Sequence, residues 1–152
     1  MDKLICFGLT EPLNGSDASG LRTTAKKVEG GYLLNGSKKW IGNGMVADYL
    51  TIWAKNLDDG GRIQGFIVRK GAIGLSTSKI HTKMALKIVQ NANIELQDVF
   101  VPDDFKLAKV KNFETGARPI LIKSRAVATF CVAGLAAGAY EEALRYTLER
   151  KQ

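Results

Sequence analysis

The chain has 152 residues, enough for one domain with a hydrophobic core or for the middle of a larger protein. Hydrophobic residues make up 45% and charged residues 24%, which is usual for a soluble globular protein. The formal net charge is +7, but the lysines and arginines are scattered and form no single basic run with interleaved aromatic residues. This distribution argues against nucleic-acid binding, and a basic surface that meets an anionic cofactor or an acidic partner accounts for the charge as well.

The cysteines and the histidine argue against a metal site. Cys6 and Cys131 lie in apolar runs without C-x-x-C spacing, so we expect buried free thiols in a reducing compartment. His81 is the only histidine and completes no metal-binding pattern with them. No targeting segment precedes the first apolar run, and Met1-Asp2-Lys3 leads straight into it, from which we expect a piece of a longer protein.

A strand that ends in a polar loop opens the chain. The apolar run from Leu4 to Leu9 predicts a short strand, which stops before Pro12 because proline lacks a backbone donor. In the loop from Thr10 to Asp17, an asparagine and a glycine allow positive φ, and hydroxyls, N–H groups and a carboxylate gather at the strand end. Such a loop suits an acceptor-rich ligand, such as a flavin pyrimidine ring or a phosphate, but Asp17 could equally be a simple loop cap. Glu11, which precedes the proline, is interpreted as structural.

Short strands separated by turns fill the middle of the sequence. The residue pattern predicts strands at 23–29, 32–36, 49–55, 63–69, 75–83 and 94–101. Gly30-Gly31 is interpreted as a hairpin turn, and Gly36-Ser37 as a bend that leads to Trp40, which in this context is typical of a barrel plug. The fold class is therefore mainly β, an antiparallel orthogonal barrel or sandwich that is closed or nearly closed.

The composition changes after a charged connector at 103–113. The stretch from Ile120 to Gln152 predicts one long helix that is apolar nearly all round and so belongs to an incomplete helical bundle. Its uncharged run, Ala126 to Tyr140, has fifteen residues, fewer than the ~20 of a membrane span, so we expect a core helix and no membrane contact. These patterns place a β-domain at 1–112 and the first helix of a truncated helical domain at 113–152.

Three segments resemble the acyl-CoA dehydrogenase family in order and spacing over essentially the whole chain. They are GLTEPLNGSDASG, KKWIGNG with ADYLTIWAK behind it, and the run from SRAVATF to YTLERKQ. The likeness is strongest to the glutaryl-CoA dehydrogenase branch and the short-chain acyl-CoA oxidases, on CFGLTEP, GFIVRKG and IELQDVFVP. The resemblance implies the middle β-domain and first bundle helix of an FAD-binding homotetramer or dimer, without its N- and C-terminal helical domains. It also implies a mitochondrial or peroxisomal matrix location in a eukaryote and a cytoplasmic one in a bacterium.

The resemblance also assigns site residues. Leu9 and Thr10 would offer donors to the pyrimidine edge of the flavin, Trp40 would shield its other side, and Arg150 would reach the flavin of a neighbouring subunit. The implied cofactor contacts are Phe7, Gly8, Leu9, Thr10, Gly15, Ser16, Trp40, Ile41, Gly42, Arg150 and Gln152. The implied substrate contacts are Ser16, Ser124 and Arg125.

The chemistry implied is α,β-dehydrogenation of an acyl-CoA thioester to trans-2-enoyl-CoA. In most members the glutamate that removes the α-proton lies beyond the position of Gln152, and where a minority place it this chain has Ser124. The chain alone is therefore expected to be inactive. Gly42 replaces the family's usual threonine or serine, which opens space beside the flavin and favours oxygen over an electron-transfer flavoprotein as acceptor. Two other interpretations stay open: a non-catalytic β-barrel that binds CoA or nucleotides, and a flavin monooxygenase of the same architecture.

Overall fold

The computed structural model describes residues 2–152, which form two compact units, residues 2–117 and Arg118–Gln152. The strands of the first unit are β1 (Ile5–Gly8), β2 (Thr24–Val28), β3 (Gly31–Gly42), β4 (Tyr49–Asn56), β5 (Arg62–Arg69), β6 (Leu75–Lys79) and β7 (Asn91–Pro102). The helix α1 spans Ala117–Glu149 and makes up most of the second unit. A strand-rich unit followed by one long helix confirms the predicted fold class in outline.

The strands form one curled sheet with mixed pairing. The order along the sheet is β1-β4-β2-β3-β7-β6. β1 and β2 pair with different parts of one edge of β4, and β5 pairs along its other edge. Both β1 and β2 run parallel to β4. The expectation of a purely antiparallel barrel is therefore wrong at these two pairings. Only a tight turn forces neighbouring strands to be antiparallel, and no tight turn joins β1 or β2 to β4.

The hairpins follow from their turn residues. The predicted β4–β5 hairpin is confirmed: Asn56 caps the turn, and Gly60 has a φ of 60° in the left-handed region. The β2–β3 hairpin turns one residue earlier than predicted, since Val28 pairs with Gly31 and, of the two predicted turn glycines, only Gly30 has positive φ, at 73°.

β3 passes straight through the predicted bend at Gly36. Leu34 pairs with Val99 and Gly36 with Leu96, so β7 carries one extra residue opposite this point and β3 itself continues as one strand. Gly36 has a φ of 144°, and an added Cβ would lie 2.6 Å from the hydroxyl oxygen of Thr23. Only glycine fits this position, where one continuous strand carries both the hairpin and the residues near Trp40.

The core of the first unit fixes the ends of β1 and β3. Ile52 and Phe66 are fully buried between the strands, and Trp53 lies with its ring centroid 5.7 Å from that of Phe7 on β1. An added Cβ at Gly116 would lie 2.5 Å from the Trp53 ring, so the chain passes close to this indole just before α1 begins. Because packing of this density leaves little freedom, the residues at the two strand ends are held in place.

α1 exposes an apolar surface. The side chains of Phe130 and Leu135 are 80% and 75% exposed. By length and by a mean hydropathy of 1.6 the helix could cross a membrane, a test that the core helix of a soluble protein also passes. The fifteen-residue uncharged run of the sequence therefore does not decide between these two. Cys131 is exposed on α1, so the expectation of two buried cysteines is correct only for Cys6.

Candidate functional site

The end of β1 is held against β3 by two hydrogen bonds. The backbone N–H of Lys39 donates to the carbonyl of Thr10 at 2.8 Å, and Nζ of Lys38 donates to the carbonyl of Leu9 at 3.2 Å. Gly8 lies so close to β4 that an added Cβ would be 2.7 Å from a side-chain carbon of that strand. The fold thus makes neighbours of the two segments that the sequence assigned to the cofactor.

Glu11 is a buried structural residue, in agreement with its interpretation from the sequence. Its carboxylate accepts hydrogen bonds from the N–H of Arg22 at 2.6 Å and from the N–H and hydroxyl of Thr23 at 2.9 and 2.5 Å. Nζ of Lys38, a side chain with no exposed surface, completes the set at 2.8 Å. The two strands that follow the loop are therefore tied to the end of β1 through one carboxylate.

The electrostatics of this pair follow from burial and mutual attraction. Burial alone raises the pKa of Glu11, but the hydrogen bonds from Lys38, Thr23 and Arg22 outweigh it and lower the pKa below its ordinary 4.5. Burial also lowers the pKa of Lys38 to about 8, against the opposing attraction of Glu11. At neutral pH both groups are therefore charged, and the network has no net charge.

The loop after β1 is closed at one end and open at the other. Asp17 accepts a hydrogen bond from the N–H of Gly20 at 3.0 Å, so the capping interpretation is correct for this residue. Gly15 and Ser16 are exposed, and an added Cβ at Gly15 meets no atom within 4 Å. The buried amide oxygen of Asn14 has no hydrogen-bond partner among residues 2–152. The open end of the loop is accessible to a ligand.

Trp40 is a surface residue and not the expected barrel plug. Its side chain is 49% exposed and its φ is 64°, a conformation that is uncommon for a bulky residue. Nδ2 of Asn91 donates to its carbonyl at 2.9 Å, and Asn91 in turn accepts from Nζ of Lys83 at 2.5 Å. The next residue, Ile41, is only 2% exposed and belongs to the core, so only its backbone could contact a ligand.

Gly42 ends β3 with free space around it. An added Cβ would meet only Cγ1 of Val89, at an ordinary contact distance of 3.7 Å, and φ lies outside the left-handed region. A β-carbon therefore fits here without strain. The fold therefore does not require glycine at position 42, and a functional role could explain its presence.

The end of β1 offers free hydrogen-bond donors. Among residues 2–152, neither the N–H nor the hydroxyl of Thr10 has a partner, and the N–H of Leu9 makes only a 3.3 Å bond to the carbonyl of Phe7. Free donors at this strand end can bind the acceptor edge of a planar ligand and stabilise negative charge on it.

The remaining predicted site residues lie in the second unit. Oγ of Ser124 donates to a carbonyl of its own helix at 3.0 Å, and Arg125 is exposed. Arg150 follows the end of α1 and donates to the hydroxyl of Tyr146 at 3.3 Å, and Gln152 is exposed. The roles of these four residues stay predictions.

Sequence reasoning missed Lys38 and Asn91. Lys38 lies at even spacing from the buried Leu34 on the same strand, and that spacing indicates an inward-facing side chain. A buried lysine requires a buried acid, and Glu11 supplied one. No sequence signal identifies Asn91, because its contact with Trp40 depends on the β3–β7 pairing.

Comparison with known proteins gives consistent results. The family profile described as acyl-CoA dehydrogenase, middle domain, matches residues 6–99. The caffeyl-CoA reductase-Etf complex subunit CarC of Acetobacterium woodii is 39% identical over 153 residues, which cover 99% of this chain and 40% of that protein. A glutaryl-CoA dehydrogenase from Mycobacterium smegmatis has a TM-score of 0.89 at 35% identity, over 99% of this chain and 38% of that one.

A second structure adds a ligand. A glutaryl-CoA dehydrogenase of Mycobacterium smegmatis in complex with FADH2 has a TM-score of 0.71 at 36% identity, over 75% of this chain and 29% of that one. The chain spans about two fifths of the length of the first curated relatives that it matches.

Proposed function

The chain belongs to the acyl-CoA dehydrogenase family, and we propose that it is the cofactor-binding middle part of an FAD-dependent enzyme that converts acyl-CoA thioesters to trans-2-enoyl-CoA. The observation that carries the proposal is the pair of unpartnered donors on Thr10, whose carbonyl is bonded to Lys39, the residue before the exposed Trp40. The similar glutaryl-CoA dehydrogenase that holds FADH2 supports the same cofactor.

The donors at the strand end fit the chemistry of a flavin. The N–H and hydroxyl of Thr10 would donate to the pyrimidine edge, and the side chain of Trp40 would cover one side of the ring. Gly15 and Ser16 would face the phosphates, where the open loop offers backbone without an obstructing side chain. FAD, when bound, supplies the acceptor for the hydrogen and electrons that leave the substrate. Because the donors of Thr10 favour negative charge, they would favour that acceptor in its reduced form.

The electron acceptor is proposed from Gly42. Glycine would leave space beside the ring, where the family resemblance implies a threonine or serine hydroxyl, and this space would admit oxygen. The similar caffeyl-CoA reductase subunit is named as part of a complex with Etf, and this name favours an electron-transfer flavoprotein as the acceptor instead. The variant Gly42→Thr distinguishes the two, because its Cβ meets only Val89 at 3.7 Å and the fold should tolerate it. If oxygen is the acceptor, this variant of the full-length enzyme should reoxidise more slowly in air, with substrate reduction little changed.

We infer that α1 is the first helix of a bundle whose other helices lie outside these residues. Its large apolar side chains are exposed in this chain and need such partners. Arg125 and Ser124 would face the acyl-CoA, and Arg150 and Gln152 would reach the flavin of a neighbouring subunit in a tetramer or dimer. The glutamate that removes the α-proton would come from the other helices of that bundle.

The decisive experiment uses the full-length protein. It should be yellow as purified, and a short acyl-CoA added without oxygen should bleach its flavin absorbance. Bleaching by NADPH instead of acyl-CoA would indicate a monooxygenase. A colourless protein that binds CoA without reaction would indicate a non-catalytic binding module, and either result would contradict the proposal.

A further inference from the structure

Lys38 is the only lysine that is fully buried among the residues the structure describes. Its stem lies on Gly8, where an added Cβ would be 3.7 Å from Cγ of the lysine. Its ammonium group donates to the carbonyl of Leu9 at 3.2 Å and to Oε1 of Glu11 at 2.8 Å. A pair of apolar residues could fill the same space without the free-energy cost of removing two charges from water. The charge therefore calls for a reason besides packing.

The geometry of one peptide unit supplies that reason. The carbonyl of Leu9 and the N–H of Thr10 belong to the same planar trans peptide and point in opposite directions. When Lys38 holds the carbonyl, the N–H must point away from Lys38, and this N–H has no partner within residues 2–152. The bond from Lys39 fixes the carbonyl of Thr10, which belongs to the following peptide, and so it does not set this one.

We propose that Lys38 is a positioning residue for the cofactor, which holds and polarises the Leu9–Thr10 peptide while Glu11 holds the ammonium group. A cation on the carbonyl strengthens the N–H of the same peptide as a donor, since hydrogen bonds in a chain polarise one another. A stronger donor favours the form of the ligand that carries negative charge, which for a flavin is the reduced form. The inference rests on the proposed function, because it takes the pyrimidine edge of FAD as the partner of Thr10.

The test measures the midpoint potential of FAD in the full-length holoenzyme. The double variant Lys38→Met/Glu11→Gln removes the ammonium group and leaves no unpaired buried charge, so it is the form most able to fold. We expect the ratio of reduced to oxidised flavin at a fixed ambient potential to fall about tenfold, which lowers the midpoint by about 30 mV for a two-electron couple. A reductive titration against a reference dye gives this value without any turnover assay.

A matched control separates positioning from general destabilisation. Gln64 and Asn56 form another buried polar pair at the far end of β4, where Nδ2 of Asn56 donates to Oε1 of Gln64 at 2.9 Å. The variant Gln64→Met should lower thermal stability and leave the potential unchanged. If the double variant changes the flavin ratio by less than about twofold, or if both variants shift it equally, Lys38 is only structural.

Two other results would also bear on the inference: a double variant that does not fold, and a full-length protein that binds no FAD. If the double variant does not fold, Lys38→Gln replaces it, because its amide can still donate to Glu11; a lowered potential is again required, and an unchanged one overturns the inference. If the unaltered full-length protein binds no FAD, it is the proposed function that fails, and this is known before any variant is made.

Discussion

The variant Glu11→Gln tests how the site is built. The carboxylate accepts four hydrogen bonds, from the N–H of Arg22, from the N–H and hydroxyl of Thr23, and from Nζ of Lys38. A glutamine keeps only one acceptor oxygen and leaves the ammonium group buried without a counter-charge. Removing one partner of a buried ion pair costs about 3–5 kcal/mol. Since a typical domain is stable by about 5–15 kcal/mol, the loss is a large fraction of the total.

The assay is guanidinium unfolding of the full-length protein, with Lys38→Met/Glu11→Gln as the second arm. If the cost of the single variant comes from the unpaired ammonium group, the double variant should regain stability, with an interaction energy of about 1–3 kcal/mol in the double-mutant cycle. The reasoning is refuted if Glu11→Gln costs less than about 1 kcal/mol, the size of an ordinary substitution, or if the double variant is no more stable than the single one.

Three other predictions concern pH, glycines and cysteines. The fold lowers the pKa of Glu11 below its ordinary 4.5. The stability that the ionised carboxylate contributes is therefore complete above pH 4.5 and is lost as the pH falls through the folded pKa. In the variant Glu11→Gln, the acid denaturation curve should be flatter over this pH range. Gly36→Ala should destabilise by about 1–3 kcal/mol because of its φ and the 2.6 Å approach of a threonine oxygen, whereas Gly15→Ala, with open space, should change thermal unfolding by less than about 0.5 kcal/mol. Burial raises the pKa of Cys6 to about 11, so in the native full-length enzyme a thiol reagent at pH 8 should spare it, and Cys131 should be protected too if other helices cover α1, as peptide mass mapping would show.

The sequence predicts the local elements of this fold better than their partners. The β4–β5 hairpin follows from alternating apolar residues and from the turn residues Asn56 and Gly60, all of which act within one short stretch. The parallel pairing of β1 with β4 is not predictable in this way, because it joins segments with no turn between them. The predicted helix, Ile120 to Gln152, in fact spans Ala117–Glu149. Its earlier start is possible because Pro119 lies in the first turn, where proline is tolerated.

The candidate site shows the same division. The loop composition after Leu9 predicts a donor-rich strand end, and the structure leaves the N–H and hydroxyl of Thr10 without partners among residues 2–152. The sequence could not predict the exposure of Trp40, because the Asn91 that bonds its carbonyl lies 51 residues away in the chain, on the paired strand β7. A large aromatic next to glycines is compatible with a plug or with a surface, and only the pairing of β3 with β7 decides between them.

The absence of net charge in the Lys38–Glu11 network determines which ligand this site suits. A permanently anionic ligand would be bound best by an uncompensated cation, but here the ammonium and carboxylate groups lie 2.8 Å apart and cancel at a distance. What remains is a short-range directional effect on one peptide N–H, strong at contact and weak beyond it. Such a donor adds little to the binding of a neutral ring and more to the same ring once it has gained charge. The strand end of this chain is therefore better suited to favour reduction of a cofactor than to capture an anion, and the redox measurement on the Lys38 variants addresses that distinction directly.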